Sequence, residues 1–350
     1  TNLPLKAKDG TDYTYTLKER TVNGYLPGVI TGPMYYEDDN VYEYVVTNTP
    51  TELIIDKIAG DTQAKLAGAH LILIKGAGPS YSISDIVDVW DSGTDGTYAN
   101  GTLKPHTITG LVTIGQQYTL IESVAPNGYL TVSNISFTIL ANGTTSYSKT
   151  NTITVTDPPV TVRFAKVDNL TGAYVAGAQF SLYLDSEWQA DRYSAVPVYT
   201  FTSTTSYVEV KGLLIANTYY RLVETAAPDG YQLNAATLQF LSPGDETILS
   251  IRMKDPRIYK FYKISSTSGE AVAGARLSVI DSSGNTIIAP WYSGTTPYEF
   301  VNSDSTGTPI LKTGIVYRLV ELATPDGYVL NTTGVSFTLA ANGLINGGTA

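Results

Sequence analysis

A short strand-like pattern recurs four times along the chain, at intervals of roughly a hundred residues. In each copy a Tyr, a Leu and a Glu stand at alternate positions, and a second Tyr follows the Glu by six or seven residues. A repeat with this period marks domains. The chain of 350 residues is therefore predicted to consist of similar domains of about a hundred residues each. The copies are Tyr15, Leu17 and Glu19; Tyr118, Leu120 and Glu122; Tyr220, Leu222 and Glu224; and Tyr317, Leu319 and Glu321.

The residues around each Glu alternate as in a β-strand. Short alternating runs, separated by Gly, Asn, Asp and Pro, fill most of the chain, and long helical periods are missing. We therefore expect an all-β protein made of tandem β-sandwich domains. The same alternation places each Glu on the face that carries the Tyr and the Leu, which is the face expected to be buried.

Composition excludes several classes of partner and site. The net charge of −10 argues against a nucleic-acid partner, because nucleic acid selects basic surfaces. The sequence has no cysteine, so disulfides, thiolate metal sites and cysteine nucleophiles are excluded. No apolar run is long enough to span a bilayer. Small β-domains outside the cell would then need a brace other than disulfides.

A lysine marks the first predicted strand of three domains. Lys57, Lys166 and Lys263 each precede a glycine by eleven residues. Each lysine shares its strand face with two apolar residues, and these indicate that the face is buried. We therefore predict a lysine on the core face of the first strand of each domain. The apolar pairs are Leu53 and Ile55, Val162 and Phe164, and Tyr259 and Phe261.

A third polar position closes each domain. Asn48, Asp157 and Asp255 each end an alternating strand at or near a proline, and the next lysine follows eight or nine residues later. Proline lacks a ladder donor and favours extended backbone in the residue before it. The last strand of one domain thus runs almost directly into the first strand of the next. Such short joints predict an extended rod.

The three inward polar groups of a domain have one common explanation. Burying each charge alone costs several kcal/mol. Burial also favours a neutral amine, which is a nucleophile, and a protonated carboxyl, which is a hydrogen-bond donor. Held against the side-chain carbonyl of Asn or Asp, these groups can form an intramolecular amide and release ammonia or water. Fixed proximity replaces an activating cofactor, so neither a cofactor nor a metal is expected.

The residues and their order resemble a known family. "ETAAPDGY" at Glu224 to Tyr231 matches the E-box of Gram-positive pilins. The succession of lysine strand, "AGA", E-box and terminal Asn or Asp is similar to that of Cna-B (SpaA-type) domains. This resemblance implies transthyretin-like or inverse-immunoglobulin β-sandwiches, which build the stalks of surface adhesins and sortase-assembled pili.

The resemblance implies two complete autocatalytic isopeptide sites and two incomplete ones. The acceptor is Asp in both complete sites, whereas Asn is commoner in the family. In the incomplete sites the acid Glu19 and the acceptor Asn48 lack a first-strand lysine, and Lys263 and Glu321 lack a terminal acceptor. The complete sites are Lys57 with Glu122 and Asp157, and Lys166 with Glu224 and Asp255.

These repeats define four predicted domains. Residues 1–50 form the C-terminal part of one domain, 51–158 and 159–256 are complete, and 257–350 lacks the last strand. We expect a segment of a longer repeat protein on the bacterial cell surface, anchored to the cell wall through a segment outside this chain. Its expected partners are other domains or subunits of the same fibre.

Three functions are compared at this stage. The first is a structural stalk hardened by internal amides. The second is an adhesin that binds a host or partner-cell ligand, with the insertion at 76–105 as the binding region. The third is a turnover enzyme, which no nucleophile–His–acid set, phosphate loop or metal cluster supports. Amide formation is a single-turnover self-modification, so we expect no enzyme.

Simpler interpretations exist for each polar position. A Lys or Glu on an apolar face can be a snorkelling side chain at a sheet edge. His70 and His106 share no spacing with other ligands and are interpreted as ordinary surface or strand residues. Two acidic clusters fit no calcium-loop spacing and are interpreted as surface loops. They are Asp88, Asp91 and Asp95, and Glu37, Asp38 and Asp39.

Overall fold

The computed structural model of the protein describes residues 6–38, 41–78 and 80–347. The chain forms two compact units, Thr1–Val160 and Thr161–Ala350. Strands dominate both units. Within the described residues no helix is both long and apolar enough to cross a bilayer. The prediction of an all-β chain of repeated sandwiches is confirmed.

Residues 6–50 contribute a two-stranded hairpin to the first unit. Strands β1 (Val29–Tyr36) and β2 (Val41–Thr47) pair in antiparallel fashion, and the side chains of β1 are exposed. The predicted strand through Tyr15, Leu17 and Glu19 is wrong, because residues 13–22 join no ladder and about half of each Tyr15 and Leu17 is exposed. A strand needs a paired neighbouring strand, and no strand of the described residues forms a ladder with this stretch.

Residues 51–158 form a sandwich of two sheets. The three-stranded sheet has the order β6-β3-β9, and the four-stranded sheet has the order β5-β4-β7-β8. The first and last strands, β3 and β9, are parallel neighbours. Apolar side chains from both sheets, such as Leu53, Leu71 and Phe137, fill the space between them. The strands are β3 (Glu52–Ala59), β4 (His70–Lys75), β5 (Ile86–Asp91), β6 (His106–Thr109), β7 (Gln117–Val124), β8 (Ile135–Thr138) and β9 (Thr152–Asp157).

Residues 159–256 repeat this topology in the second unit. Their sheets have the orders β13-β10-β16 and β12-β11-β14-β15, and the first and last strands, β10 and β16, are again parallel neighbours. A short helix, α1 (Asp185–Ala190), follows β11. The strands are β10 (Thr161–Asp168), β11 (Gln179–Leu184), β12 (Tyr199–Thr202), β13 (Val208–Lys211), β14 (Tyr219–Ala226), β15 (Leu238–Leu241) and β16 (Leu249–Asp255).

Residues 257–347 form a third sandwich with a shorter first sheet. Its sheets have the orders β17-β20 and β19-β18-β21-β22-β23. In the described residues β17 has no parallel neighbour, and it ends two residues before Lys263. The prediction that Lys263 lies on the first strand is therefore wrong, because no partner strand extends the ladder that far. The strands are β17 (Ile258–Phe261), β18 (Arg276–Asp281), β19 (Thr286–Tyr292), β20 (Tyr298–Val301), β21 (Val316–Ala323), β22 (Val335–Leu339) and β23 (Ile345–Asn346).

Within the second unit the two sandwiches meet at a buried aspartate. The guanidinium of Arg257 donates to Asp168 Oδ2 from Nη2 at 2.6 Å and from Nε at 3.0 Å, and the Tyr231 hydroxyl donates to the same oxygen at 2.8 Å. Burial raises the pKa of Asp168, but these hydrogen bonds and those from nearby backbone amides outweigh it and leave the pKa below its ordinary value. The ion pair thus joins the end of β10 to the start of the next domain.

Candidate functional site

The first strand of residues 51–158 delivers a lysine to the core. Alternate side chains of β3 are buried, and Lys57 is one of them with 4% of its surface exposed. In the parallel ladder Lys57 is level with Val155, and Ala59 is level with Asp157. Because side chains two residues apart share a face, Asp157 lies one pleat beyond Lys57 on the same inner face. The Lys57 amine contacts Asp157 Oδ1 there.

The acid of this site comes from the opposite sheet. Glu122 on β7 is buried together with Tyr118 and Leu120, as the alternation predicts. Its Oε1 lies 2.6 Å from Lys57 Nζ. One amine and two carboxyl groups thus meet between the sheets, and we call this set the Lys57 centre (Lys57, Glu122 and Asp157).

Residues 159–256 contain an equivalent set, the Lys166 centre (Lys166, Glu224 and Asp255). All three side chains are fully buried. Lys166 Nζ lies 2.9 Å from Glu224 Oε2 and contacts Asp255 Oδ1. The register is the same, since Lys166 is level with Met253 on the last strand, two residues before Asp255. The structure therefore brings together both complete sets of predicted residues.

A backbone amide holds each of the glutamates. Glu122 accepts a hydrogen bond from the Val132 amide at 3.0 Å, and Glu224 accepts one from the Asn234 amide at 2.9 Å. Sequence reasoning missed these donors. The signal that could have found them is the E-box tyrosine, because the donor is the third residue after it in all four copies. The other two bonds run from the Asn331 amide to Glu321 at 2.9 Å and from the Gly28 amide to Glu19 at 2.6 Å.

Burial sets the charge state of the acceptors. It raises the pKa of Asp157 to about 7. Lys57 opposes this rise, and Glu122 adds to it. Burial likewise raises the pKa of Asp255 to about 7, with Lys166 opposing and Glu224 adding to the rise. Each acceptor thus holds its proton over a pH range in which an ordinary aspartate is ionised. A neutral carboxyl has a hydroxyl that can leave as water.

Several carboxyl oxygens of the two centres have no hydrogen-bond partner. Among the described residues this holds for Glu122 Oε1, Asp157 Oδ2, Glu224 Oε1 and both side-chain oxygens of Asp255. Two of these atoms, Glu122 Oε1 and Asp255 Oδ1, form ion pairs with the lysine amines but make no hydrogen bond of good geometry. A buried polar atom without a partner costs about 1–3 kcal/mol. Converting the amine and the acceptor into an amide removes one of the acceptor oxygens and replaces two ionisable groups by a neutral one.

The two incomplete sites are built differently. Lys263 Nζ lies 3.2 Å from Glu321 Oε2, and 22% of the lysine side chain is exposed. Beside this pair is an open groove of about 860 Å³, lined by Phe261, Lys263 and Ile345 among others. In the first unit Asn48 Nδ2 donates to Glu19 Oε1. The described residues place no acceptor at Lys263 and no lysine at Glu19.

The two histidines are paired with acidic residues that sequence reasoning assigned to a loop. Asp88 and Asp91 lie in β5, so that assignment is wrong for these two. His70 contacts Asp91, and His106 contacts both Asp88 and Asp95. Of the second acidic cluster, Asp39 lies outside the described residues. No group of three His, Cys, Asp or Glu side chains in the described part of the chain is arranged to hold a metal ion.

The insertion at 76–105 contains more regular structure than a loop. It includes β5 and a 3₁₀ turn at Ile83–Asp85. Several large apolar side chains in it point to solvent, among them Tyr81, Ile83 and Tyr98, and 89% of Ile83 is exposed. The segment thus contains the edge strand β5, which corresponds to β12 and β19 in the other two sandwiches, together with several exposed apolar side chains.

A family model described as a SpaA prealbumin-like fold domain matches residues 51–153, 160–256 and 257–347. A comparison with curated proteins gives no significant match.

Solved structures with a similar fold are distant in sequence. The TIE protein of Bacillus anthracis is 17% identical, with 85% of this chain and 52% of that chain covered and a TM-score of 0.34. The pilus adhesin SpaC from Lactobacillus rhamnosus GG is 15% identical, with 88% and 41% covered and a TM-score of 0.33. A streptococcal ancillary pilin is 15% identical, with 83% and 95% covered and a TM-score of 0.33. The chain thus spans about half the length of the first two.

Proposed function

Since the chain belongs to the family of SpaA domains with a prealbumin-like fold, we propose that it is a stalk or backbone module of a bacterial surface adhesin or pilus, stabilised by Lys–Asp isopeptide bonds. The observation that carries this proposal is the pair of buried centres, each with one amine and two carboxyl groups in contact. A packing role alone does not account for them, because three buried ionisable groups destabilise a core that apolar side chains would fill.

The contacts support a direct condensation. The neutral amine of Lys57 attacks Cγ of the protonated Asp157. Glu122 takes the proton that the nitrogen loses and passes it to the hydroxyl of Asp157, and the carbonyl re-forms as this hydroxyl leaves. The C–N bond forms, the C–O bond breaks and one water leaves. The Lys166 centre reacts in the same way through Glu224 and Asp255.

Proximity is the main catalytic effect in this scheme. Well-oriented groups reach effective molarities of about 10⁵–10⁸ M, and the folded sheets hold the amine against its acceptor without help from a cofactor. Each centre reacts once and is consumed, so the protein is not an enzyme in the turnover sense.

The position of the bond suits a load-bearing module. Lys57 and Asp157 lie on the first and last strands of their sandwich, and these strands are neighbours. A force that enters through one end strand leaves through the other and passes across the amide, so the sheet need not unzip. We place the protein outside the cell, on the bacterial surface, with other domains or subunits of the same fibre as partners.

Intact mass spectrometry tests the chemistry. The folded chain should be lighter than its sequence by two water molecules, one for each centre. Glu122→Gln should restore one of them and Glu224→Gln the other, while Glu209→Gln, an exposed glutamate on β13, should restore none. A mass equal to that of the unmodified sequence would remove the basis of the proposal.

A ligand-binding adhesin is the second candidate. The observation that favours it is the exposure of three large apolar side chains within one segment of the insertion at 76–105, Tyr81, Ile83 and Tyr98. Replacing these three residues by Ser should abolish adhesion to host or partner cells if the insertion binds a ligand. It should leave the mass loss at both centres unchanged.

A further inference from the structure

The two sheets of residues 51–158 are joined at one edge by a stacked pair of rings. Trp90 lies on β5, the edge strand of one sheet, and His106 begins β6, the edge strand of the other. Their ring centroids are 4.2 Å apart and the planes differ by 15°. Trp90 is 7% exposed and belongs to the core. The stack therefore closes the edge of the sandwich.

This closed edge lies beside the Lys57 centre. His106 is level with Ile55, two residues before Lys57 on β3. In the other sheet Trp90 on β5 is level with Leu71 on β4, and Leu71 is in turn level with Glu122 on β7. Lys57, Trp90 and His106 line one small cavity of about 10 Å³. A cavity of this size has room for about one water molecule.

Carboxylates hold the imidazole of His106 from both sides. Its Nε2 lies 3.0 Å from Asp88 Oδ2, and its Nδ1 lies 2.9 Å from Asp95 Oδ1. The two contacts hold both ends of the ring, so the imidazole cannot turn away from Trp90.

Other charged groups near the stack are already paired or lie farther off the ring. Lys65 and Asp56 line the same cavity and form an ion pair with each other. Lys104 also lines the cavity and lies over the Tyr98 ring at 5.8 Å. Asp88 and Asp95 are the charged groups that contact the imidazole in the described residues.

We propose that His106, clamped by Asp88 and Asp95, is a positioning residue for amide formation at Lys57, and that its loss opens the sheet edge and slows the reaction. The inference rests on the proposed bond between Lys57 and Asp157. His106 transfers no proton in the step: the Nζ–Cγ bond forms, the C–O bond of Asp157 breaks, and water leaves into the small cavity. Bulk water at this edge would instead stabilise the ammonium and carboxylate forms, which do not react.

The other two sandwiches close the same edge without a histidine. Tyr298 is level with Phe261, two residues before Lys263, and stacks on Trp291 with centroids 4.4 Å apart. In residues 159–256 the equivalent position is Val208, and Phe201 packs on Phe164 and Phe180. The chain itself thus offers a replacement for His106 that keeps a stacked ring, namely tyrosine.

The test measures the rate of linkage at both centres of the whole chain. The chain is synthesised in a cell-free system at constant pH and quenched in urea at timed intervals. Digestion and mass spectrometry then give the linked fraction of Lys57 and of Lys166. The Lys166 centre is the internal reference, because its acceptor shares the pKa of about 7.

Relative to this reference, linkage at Lys57 should be about tenfold slower in His106→Ala than in the unmodified chain. His106→Tyr should keep the stack and link as fast as the unmodified chain. His70→Gln, which breaks the exposed pair with Asp91, is the matched control and should behave as the unmodified chain.

Equal Lys57 rates in the unmodified chain and His106→Ala would overturn the inference and leave the proposed function intact. So would slow linkage at Lys57 in His106→Tyr, a comparison that decides alone if His106→Ala does not fold. Absence of linkage at both centres of the unmodified chain would instead overturn the proposed function itself.

Discussion

Replacing Glu122 by Gln should separate the stabilising effect of the Lys57–Asp157 bond from that of the fold. Gln has almost the same shape and can still accept the hydrogen bond that the Val132 amide donates. It cannot carry the proton from amine to hydroxyl, so the amide should not form. The sandwich should keep its strands and lose only the cross-link.

The magnitude follows from the length of the loop that the bond closes. Lys57 and Asp157 are 100 residues apart in sequence. By the chain-entropy model for cross-links, a loop of this length restricts the unfolded state by about 4.7 kcal/mol. The entropy of unfolding of a domain of this size is about 0.2 kcal/mol per degree, so the melting temperature should fall by about 20 °C.

The assay is differential scanning calorimetry of the whole chain, combined with intact mass. The transition of residues 51–158 should move down while that of residues 159–256 stays, and Glu224→Gln should do the reverse. The reasoning is refuted if Glu122→Gln retains its water but melts at the unmodified temperature. It is also refuted if the variant still loses the water, because Glu122 is then not needed.

Three further predictions concern pH, the domain junction and force. In Lys57→Met no bond forms, and burial keeps the pKa of Asp157 above its ordinary value, because the lysine that opposes the rise is gone. Since the folded state then holds a proton that the unfolded state releases, the free energy of unfolding should fall as pH rises above about 4, and urea melts with a flat pH profile would contradict this. Arg257→Ala leaves the buried Asp168 carboxylate without its guanidinium partner. It should lower the free energy of unfolding of the second unit by about 3 kcal/mol in a denaturant titration. Arg192→Ala, which replaces an exposed arginine, is the control. In single-molecule pulling the unmodified sandwich of residues 51–158 should not extend to its full contour length. The Lys57→Ala variant should extend fully and should also become sensitive to trypsin. Full extension of the unmodified domain at the same force would favour the adhesin function over the stalk.

The inward orientation of the lysine and the glutamate of each complete centre was predictable, because strand alternation is a local property. The position of Lys57 relative to Leu53 and Ile55, or of Glu224 relative to Tyr220 and Leu222, needs only the two-residue period of a β-strand. The prediction failed where the strand itself was missing. Residues 13–22 join no ladder, and β17 ends before Lys263, because alternation fixes a face only when a neighbouring strand pairs with the segment.

The sequence by itself determined that each complete domain turns a lysine, a glutamate and an aspartate inward, since each shares its phase with apolar residues. Only the tertiary structure decided that the first and last strands are parallel neighbours, in a register that brings Asp157 to the Lys57 amine. It also decided the clamp on His106, whose partners Asp88 and Asp95 lie 18 and 11 residues away. Contacts of this kind depend on which strands become neighbours and how the loops between them close, and neither follows from the side chains of a single strand.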